Sequence, residues 1–148
     1  GEDFASSLAA LEKIAAAGAR SSVMILNGLG GRRYSEQHAV NSARLMNAAQ
    51  PDFLSTLVVS FPTGAERFEQ GFEGDFEPLD QAGLFQEMLW LLETLDLEST
   101  VFRSDHASNY LVLKGTLNAD RDRLLATVRA AIDRPATVPL RQEWQRGL

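Results

Sequence analysis

The chain has 148 residues, 45% of them apolar and 23% charged, with a formal charge of -6 and a pI near 4.9. That length suits one domain with a real core. The absence of cysteine removes disulfides, zinc–thiolate sites, an iron–sulfur cluster held by this chain and a thiol nucleophile. The net negative charge argues against free nucleic acid or an anionic membrane as partner. The longest apolar runs, Leu57-Val58-Val59 and Leu89 to Leu92, are too short to span a bilayer. Nothing at the start resembles a signal peptide, so a cytoplasmic setting is expected. The opening Gly1-Glu2-Asp3, without a Met, reads as that of an excised piece.

Leu8, Leu11, Ile14 and Ala15 form a helical stripe over residues 3–17, with Gly18 placed to end it. The apolar run over 22–27 predicts a strand covered on both faces. Gly28-Leu29-Gly30-Gly31 and two arginines follow, and Ser35 is the expected cap of a helix over 35–49 that buries Ala39, Ala43 and Met46. Pro51-Asp52 breaks the chain, and the β-formers of 53–61 predict a second strand. Residues 64–78, with Phe68, Phe72, Phe76 and several acids, read as a loop with a short helix. A helix over 80–95 is apolar almost all round through Leu84, Phe85, Met88, Leu89, Leu91, Leu92 and Leu95, and should be well buried. Short strands are expected at 100–103 and 110–113. A last helix at 119–133, with Asn118 as a possible cap, precedes an irregular tail from Pro135. This alternation implies an α/β fold with parallel strands. The strands are too few for a free-standing doubly wound sheet, so the chain looks like part of a larger α/β unit.

Three stretches carry chemistry. Glycines after a strand let backbone approach a ligand, and the next helix's amides suit an anion. The spacing is neither a Rossmann fingerprint nor a Walker loop, so a tight turn stands equally open. Arg32 and Arg33 suit a carboxylate or phosphate, or simply solvent. His38, beside Glu36, is an acid–base residue by type or a surface histidine. In the densest polar segment, Arg103 to Tyr110, Arg103, Asp105 and His106 suit proton transfer or anion binding. The competing reading is a polar turn that satisfies its own backbone. No metal-ligand spacing is present, and the acids from Glu66 to Glu77 read as a solvated loop.

Val23 to Gly31, Ser35 to Ala39, Asn47 to Ser55, Val101 to Gly115 and Arg141 to Leu148, taken in that order, resemble the C-terminal half of a radical S-adenosylmethionine domain. The resemblance is to uncharacterised iron–sulfur oxidoreductases of the coproporphyrinogen-oxidase-like or Elp3/MiaB-like type. It implies a partial (β/α) barrel resembling a TIM barrel, of which this chain supplies about three parallel strands with covering helices. Residues 1–98 would be the last barrel units and 99–148 a C-terminal extension. It further implies a 4Fe–4S cluster on a Cys-x3-Cys-x2-Cys loop that must lie outside this chain. S-adenosylmethionine and the cluster are thus cofactors of the parent protein, neither is expected on this fragment, and the fragment alone would be inactive. In the family motif Gly-x-Ile-x-Gly-x-x-Glu, Leu26 and Gly28 match the middle. Met24 replaces the first glycine and Gly31 the final acid, which puts a side-chain role of that acid in doubt.

The cofactor-binding residues so implied are Leu26, Asn27, Gly28, Gly30 and Gly31, with Val59, Ser60 and Phe61 at the end of the next strand. Arg103, His106, Asn109 and Tyr110 are the substrate candidates; the substrate itself is unknown, and so are the catalytic residues. The expected partner is the N-terminal half of the same barrel, with a homodimer through an exposed sheet edge as another possibility. Two rival readings remain: a non-catalytic nucleotide- or phosphate-binding module using the glycine loop with Arg32 and Arg33, and a ligand-free interaction domain.

Overall fold

A computed structural model describes residues 3–146; residues 1–2 and the final two residues of the Arg141–Leu148 signature lie outside the described residues. The elements in chain order are α1 (Phe4–Ala16), β1 (Ser22–Asn27), α2 (Gly31–Ala49), β2 (Phe53–Val58), α3 (Glu66–Gly71), α4 (Gln81–Thr94), β3 (Thr100–Ser104), β4 (Leu113–Leu117) and α5 (Arg121–Asp133), with short 3₁₀ turns at Pro135–Thr137 and Glu143–Gln145. The strands form one sheet in the order β1-β2-β3-β4. β1, β2 and β3 are mutually parallel, while β4 returns antiparallel to β3. The fold is therefore α/β with a mostly parallel sheet.

The period of two along each strand divides the sheet into unlike faces. Ile25, Leu54, Phe102, Leu113 and Leu117 point to one side, where they form a single core with Ala39, Ala43 and Met46 of α2, Met88, Leu91 and Leu92 of α4, and Leu124 and Val128 of α5. On the other side, register aligns Met24 with Ser55, Ser55 with Arg103, and Arg103 with Lys114; Leu26 aligns with Leu57. This face is open: Met24 is 61% and Leu26 39% exposed. The expectation of a β1 covered on both faces is therefore corrected, since only one face is covered. α1 packs on α2 and buries none of its own residues fully; Ile14 is exposed, so the predicted stripe finds little beneath it.

Three boundaries differ from the sequence expectation for local reasons. α2 begins at Gly31 with Gly30 as its cap, so Ser35 lies inside the helix and its hydroxyl serves another partner. The fourth strand starts at Leu113 rather than 110, because Tyr110 and Leu111 are tied to the tail: the Arg141 N–H donates to the Tyr110 carbonyl and Leu111 bridges Leu140. It continues through Gly115, where a Cβ would stand 2.8 Å from the Asp120 Cβ. That glycine is the site of a close approach. α5 is capped at Asp120; the Asn118 side chain bonds the Leu97 amide and Asp96.

Phe102, fully buried at the centre of β3, anchors this packing. Phe102→Ala should cost about 3–5 kcal/mol, read as a lowered urea midpoint with an unchanged slope.

Candidate functional site

The carboxyl ends of β1, β2 and β3 meet at one rim of the sheet, the place where open α/β sheets put their ligands. β1 runs into Gly28, whose φ of +84° and flanking side chains, Leu84 and Val59 at 3.3 Å from a built Cβ, admit no other residue without strain. The loop is held from behind by a residue that lies in none of the sequence motifs. Glu87, buried on α4, accepts the Gly28 N–H at 2.7 Å on one carboxylate oxygen and the Ser35 hydroxyl at 2.6 Å on the other. His38 Nδ1 lies 3.3 Å from the first oxygen. It is close enough for electrostatic attraction but out of line for a proper hydrogen bond. A signal is present in the sequence: Glu87 is the one acid on the stripe of Leu84, Met88 and Leu91, where a charge must have partners.

Further amides of the glycine loop are engaged by the protein itself. The Gly31 N–H donates to the Gly28 carbonyl, and the Arg32 N–H, at the start of α2, donates to the Glu77 carbonyl at 2.8 Å. Arg32 pairs with Glu77 and Asp80, and Arg33 with Asp75 at 2.7 Å. The two cations offered for a phosphate are thus neutralised by the segment 64–80. That segment is a flap built around Phe68, Phe72 and Phe76, with Phe61 joining the cluster at ring separations near 5–6 Å. At the end of β2, the Val59 N–H continues the ladder to the Asn27 carbonyl, Ser60 is exposed, and Phe61 stacks into the flap.

The polar segment after β3 serves the backbone of β2. β3 pairs with β2 only as far as Ser55. Beyond it, the Asn109 amide donates to the Thr56 carbonyl at 2.8 Å and the Ser108 hydroxyl accepts the Val58 N–H at 3.0 Å, so two side chains extend the sheet. The His106 Nδ1 accepts from the Ser108 N–H and lies 2.9 Å from its hydroxyl. Two tail arginines lock this turn. Arg141 donates to the carbonyls of Asp105, His106 and Asn109, and Arg146 donates to that of Ser108 while lying 3.7 Å over the Tyr110 ring. Neither arginine carries a local sequence signal for this role.

Of the expected site residues, Asn27, Asn109 and Tyr110 come together, around a cavity of about 20 Å³. That is room for roughly one water. Leu26, Ser60, Arg103 and His106 have solvent-facing surface. Arg103 stands on the open face without an ion-pair partner among the described residues, beside Lys114, which pairs with Asp105 at 2.8 Å. Lys114 holds the Asp105 carboxyl below the ordinary carboxylate range. No group of acidic, histidine or cysteine side chains among the described residues could hold a metal. No helix among the described residues is long and apolar enough to cross a membrane. In comparison with known protein families, curated proteins and solved structures, the chain matches none.

These contacts can be tested at two points. Glu87→Ala leaves two buried donors without a partner, at about 1–3 kcal/mol each, and should show a lower thermal midpoint. In the tail, the Tyr110 hydroxyl and then Arg146 hold the Glu143 carboxyl below its ordinary range. A carboxylate depressed in the folded state stabilises above its unfolded pKa and loses that contribution as pH falls through the folded one. The stability gap between wild type and Glu143→Gln should therefore be present at neutral pH and close on acidification.

Proposed function

We propose that the chain is the C-terminal part of a radical S-adenosylmethionine barrel, which forms the adenine side of the cofactor site and part of the substrate face. The observation that carries this reading is the one-sided sheet. Parallel sheets are normally covered on both faces. A doubly wound sheet reverses its strand order and places helices on both sides, whereas a barrel adds strands in sequence and keeps all helices outside. Here β1, β2 and β3 follow in sequence with the helices on one face only. The open face then corresponds to a barrel interior. α1, which covers no strand of its own, is the helix that would lie over a strand added at the free edge of β1. The N-terminal half of the barrel is accordingly the proposed partner.

Leu26 and Leu57, side by side on the open face just below the loops, offer a flat apolar platform suited to an adenine ring. Exposed Ser60 and the neighbouring backbone lie at the same rim. The amides of Gly28, Gly31 and Arg32 are already engaged, so in this reading the glycine loop shapes the site rather than donating to the ligand. Arg103 and Lys114, further along the same face, would meet the substrate. The 4Fe–4S cluster has no ligands in this chain, which lacks cysteine. Bound to that cluster in the parent protein, S-adenosylmethionine would supply hydrogen-abstracting radical chemistry, with Leu26, Leu57 and Ser60 of this chain holding its adenine end. The residues named here bind and orient. The phosphate-binding alternative is disfavoured by the pairing of Arg32 and Arg33 with the flap.

The test is the encoding gene and its full-length product. A Cys-x3-Cys-x2-Cys upstream of Gly1, and a broad iron–sulfur absorption band after anaerobic reconstitution that disappears when those cysteines are replaced, are the expected results. An open reading frame without the motif, or a full-length protein with no such band, ends the reading.

A further inference from the structure

A groove of about 520 Å³ runs between the glycine loop, α2 and the flap, lined by Leu29, Gly30, Tyr34, His38, Phe68 and Phe72, with Gln37 and Asn41 contributing amides. It lies between α2 and the flap; Leu29, His38 and Ser42 also line an adjoining hollow that reaches Met24 and Leu26, so occupancy of the groove itself is reported by the flap residue Phe72. Its volume falls within the range of small-molecule sites. Its walls are aromatic, and among the described residues no Asp, Glu, Lys or Arg lines it. Arg33, next in sequence to Tyr34, is turned to Asp75.

His38 is the polar group of this groove with a built support. Its Nδ1 is buried and faces the Glu87 carboxylate, which is itself fixed by the Gly28 N–H and the Ser35 hydroxyl. A carboxylate beside Nδ1 selects the tautomer that carries its proton there and leaves a lone pair on Nε2. The side chain retains 19% exposure, and with Nδ1 buried the rest of the ring lines both this groove and the hollow beside Leu26. The long Nδ1 contact is of the kind that shortens when a ligand engages the far side of an imidazole.

We propose that this groove binds a neutral, planar heteroaromatic ring, stacked against the aromatic flap and donating a hydrogen bond to Nε2 of His38, with Glu87 as the residue that positions the imidazole. A charged ligand would find no counter-charge among the lining residues, and a purely apolar one would leave Nε2 and the two amides unpaired.

The experiment uses uniformly ¹⁵N-labelled protein, whose two histidines are assigned with a His106→Gln variant, and follows the imidazole nitrogens by long-range ¹H–¹⁵N correlation, and the backbone amides beside them, while adenosine, or ribose as control, is added. The expected result is His38 in the Nδ1–H tautomer, a saturable shift of its Nε2 with adenosine and none with ribose. Phe72→Ala, on the flap and outside the core, should weaken the binding about tenfold, as should His38→Phe, which keeps a ring and removes its nitrogens. A single lost hydrogen bond or stacking contact is worth about 1.4 kcal/mol, a factor of ten. His38 in the Nε2–H tautomer, or nitrogens that do not move at millimolar adenosine, overturns the proposal. Adenosine that shifts Leu26 and Leu57 amides but not His38 also overturns it, while supporting the proposed cofactor face.

Discussion

A carboxylate has two oxygens and room for several donors, and Glu87 uses that capacity to join three elements at the head of the sheet. It sits on α4, takes the first amide of the glycine loop after β1, and takes a hydroxyl from the second turn of α2. A buried charge of this kind is tolerable only while its donors are in place. The constraint therefore runs both ways: the loop must present the Gly28 amide inward, and α2 must begin early enough to bring Ser35 and His38 to the same point. Once those positions are set, the space left on the outside of the loop is filled by the flap, whose Glu77 carbonyl meets the start of α2 and whose acids pair with Arg32 and Arg33. The rim of the sheet is thus built from the inside outwards.

The opposite constraint governs the far side of the same rim. β2 extends beyond the reach of β3, and its exposed backbone groups need partners. Ser108 and Asn109 supply them with side chains, and the tail holds those two residues in place through Arg141 and Arg146. The tail is in this sense part of the sheet. By contrast, the open face has no internal solution. Met24, Leu26 and Leu57 form an apolar surface across the two outermost parallel strands, and neither α1 nor the described part of the tail covers it. A surface of that kind calls for a ligand or a further part of the fold.

How much of this is legible in the sequence depends on whether a signal is local. The α/β alternation, the glycine turn and the buried stripes of α2, α4 and α5 rest on period and turn chemistry, and those can be read directly. The bare face of the sheet cannot, because a strand rich in Val, Met, Ile and Leu reads as covered on both sides whether or not a second layer exists. The extent of β4 through Gly115 is equally illegible, because that residue's reason for being glycine is Asp120, a neighbour brought close by folding. Ser35 misleads because a serine near a helix start has a ready local explanation, and its true partner lies 52 positions away. Glu87 is inconspicuous among apolar neighbours, although an acid on a buried stripe is itself a signal. For the segment from Arg103 to Tyr110, the two readings divide the residues between them: Ser108 and Asn109 satisfy backbone, while Arg103, still on β3, stands without an ion-pair partner on the open face among the described residues.

Glu87 fixes the glycine loop from within, and the Gly28 amide reports on it directly. Its hydrogen exchange should be as slow as that of the β2 core. In Glu87→Gln, which keeps an acceptor but not the charge, the Gly28 amide should exchange at least about tenfold faster, in line with the loss of a charge-assisted bond, while Leu54 and Phe102 amides exchange at rates set by global stability alone. A Gly28 amide that exchanges rapidly in the wild-type protein, or at the same rate in both proteins, would show that Glu87 does not hold the loop.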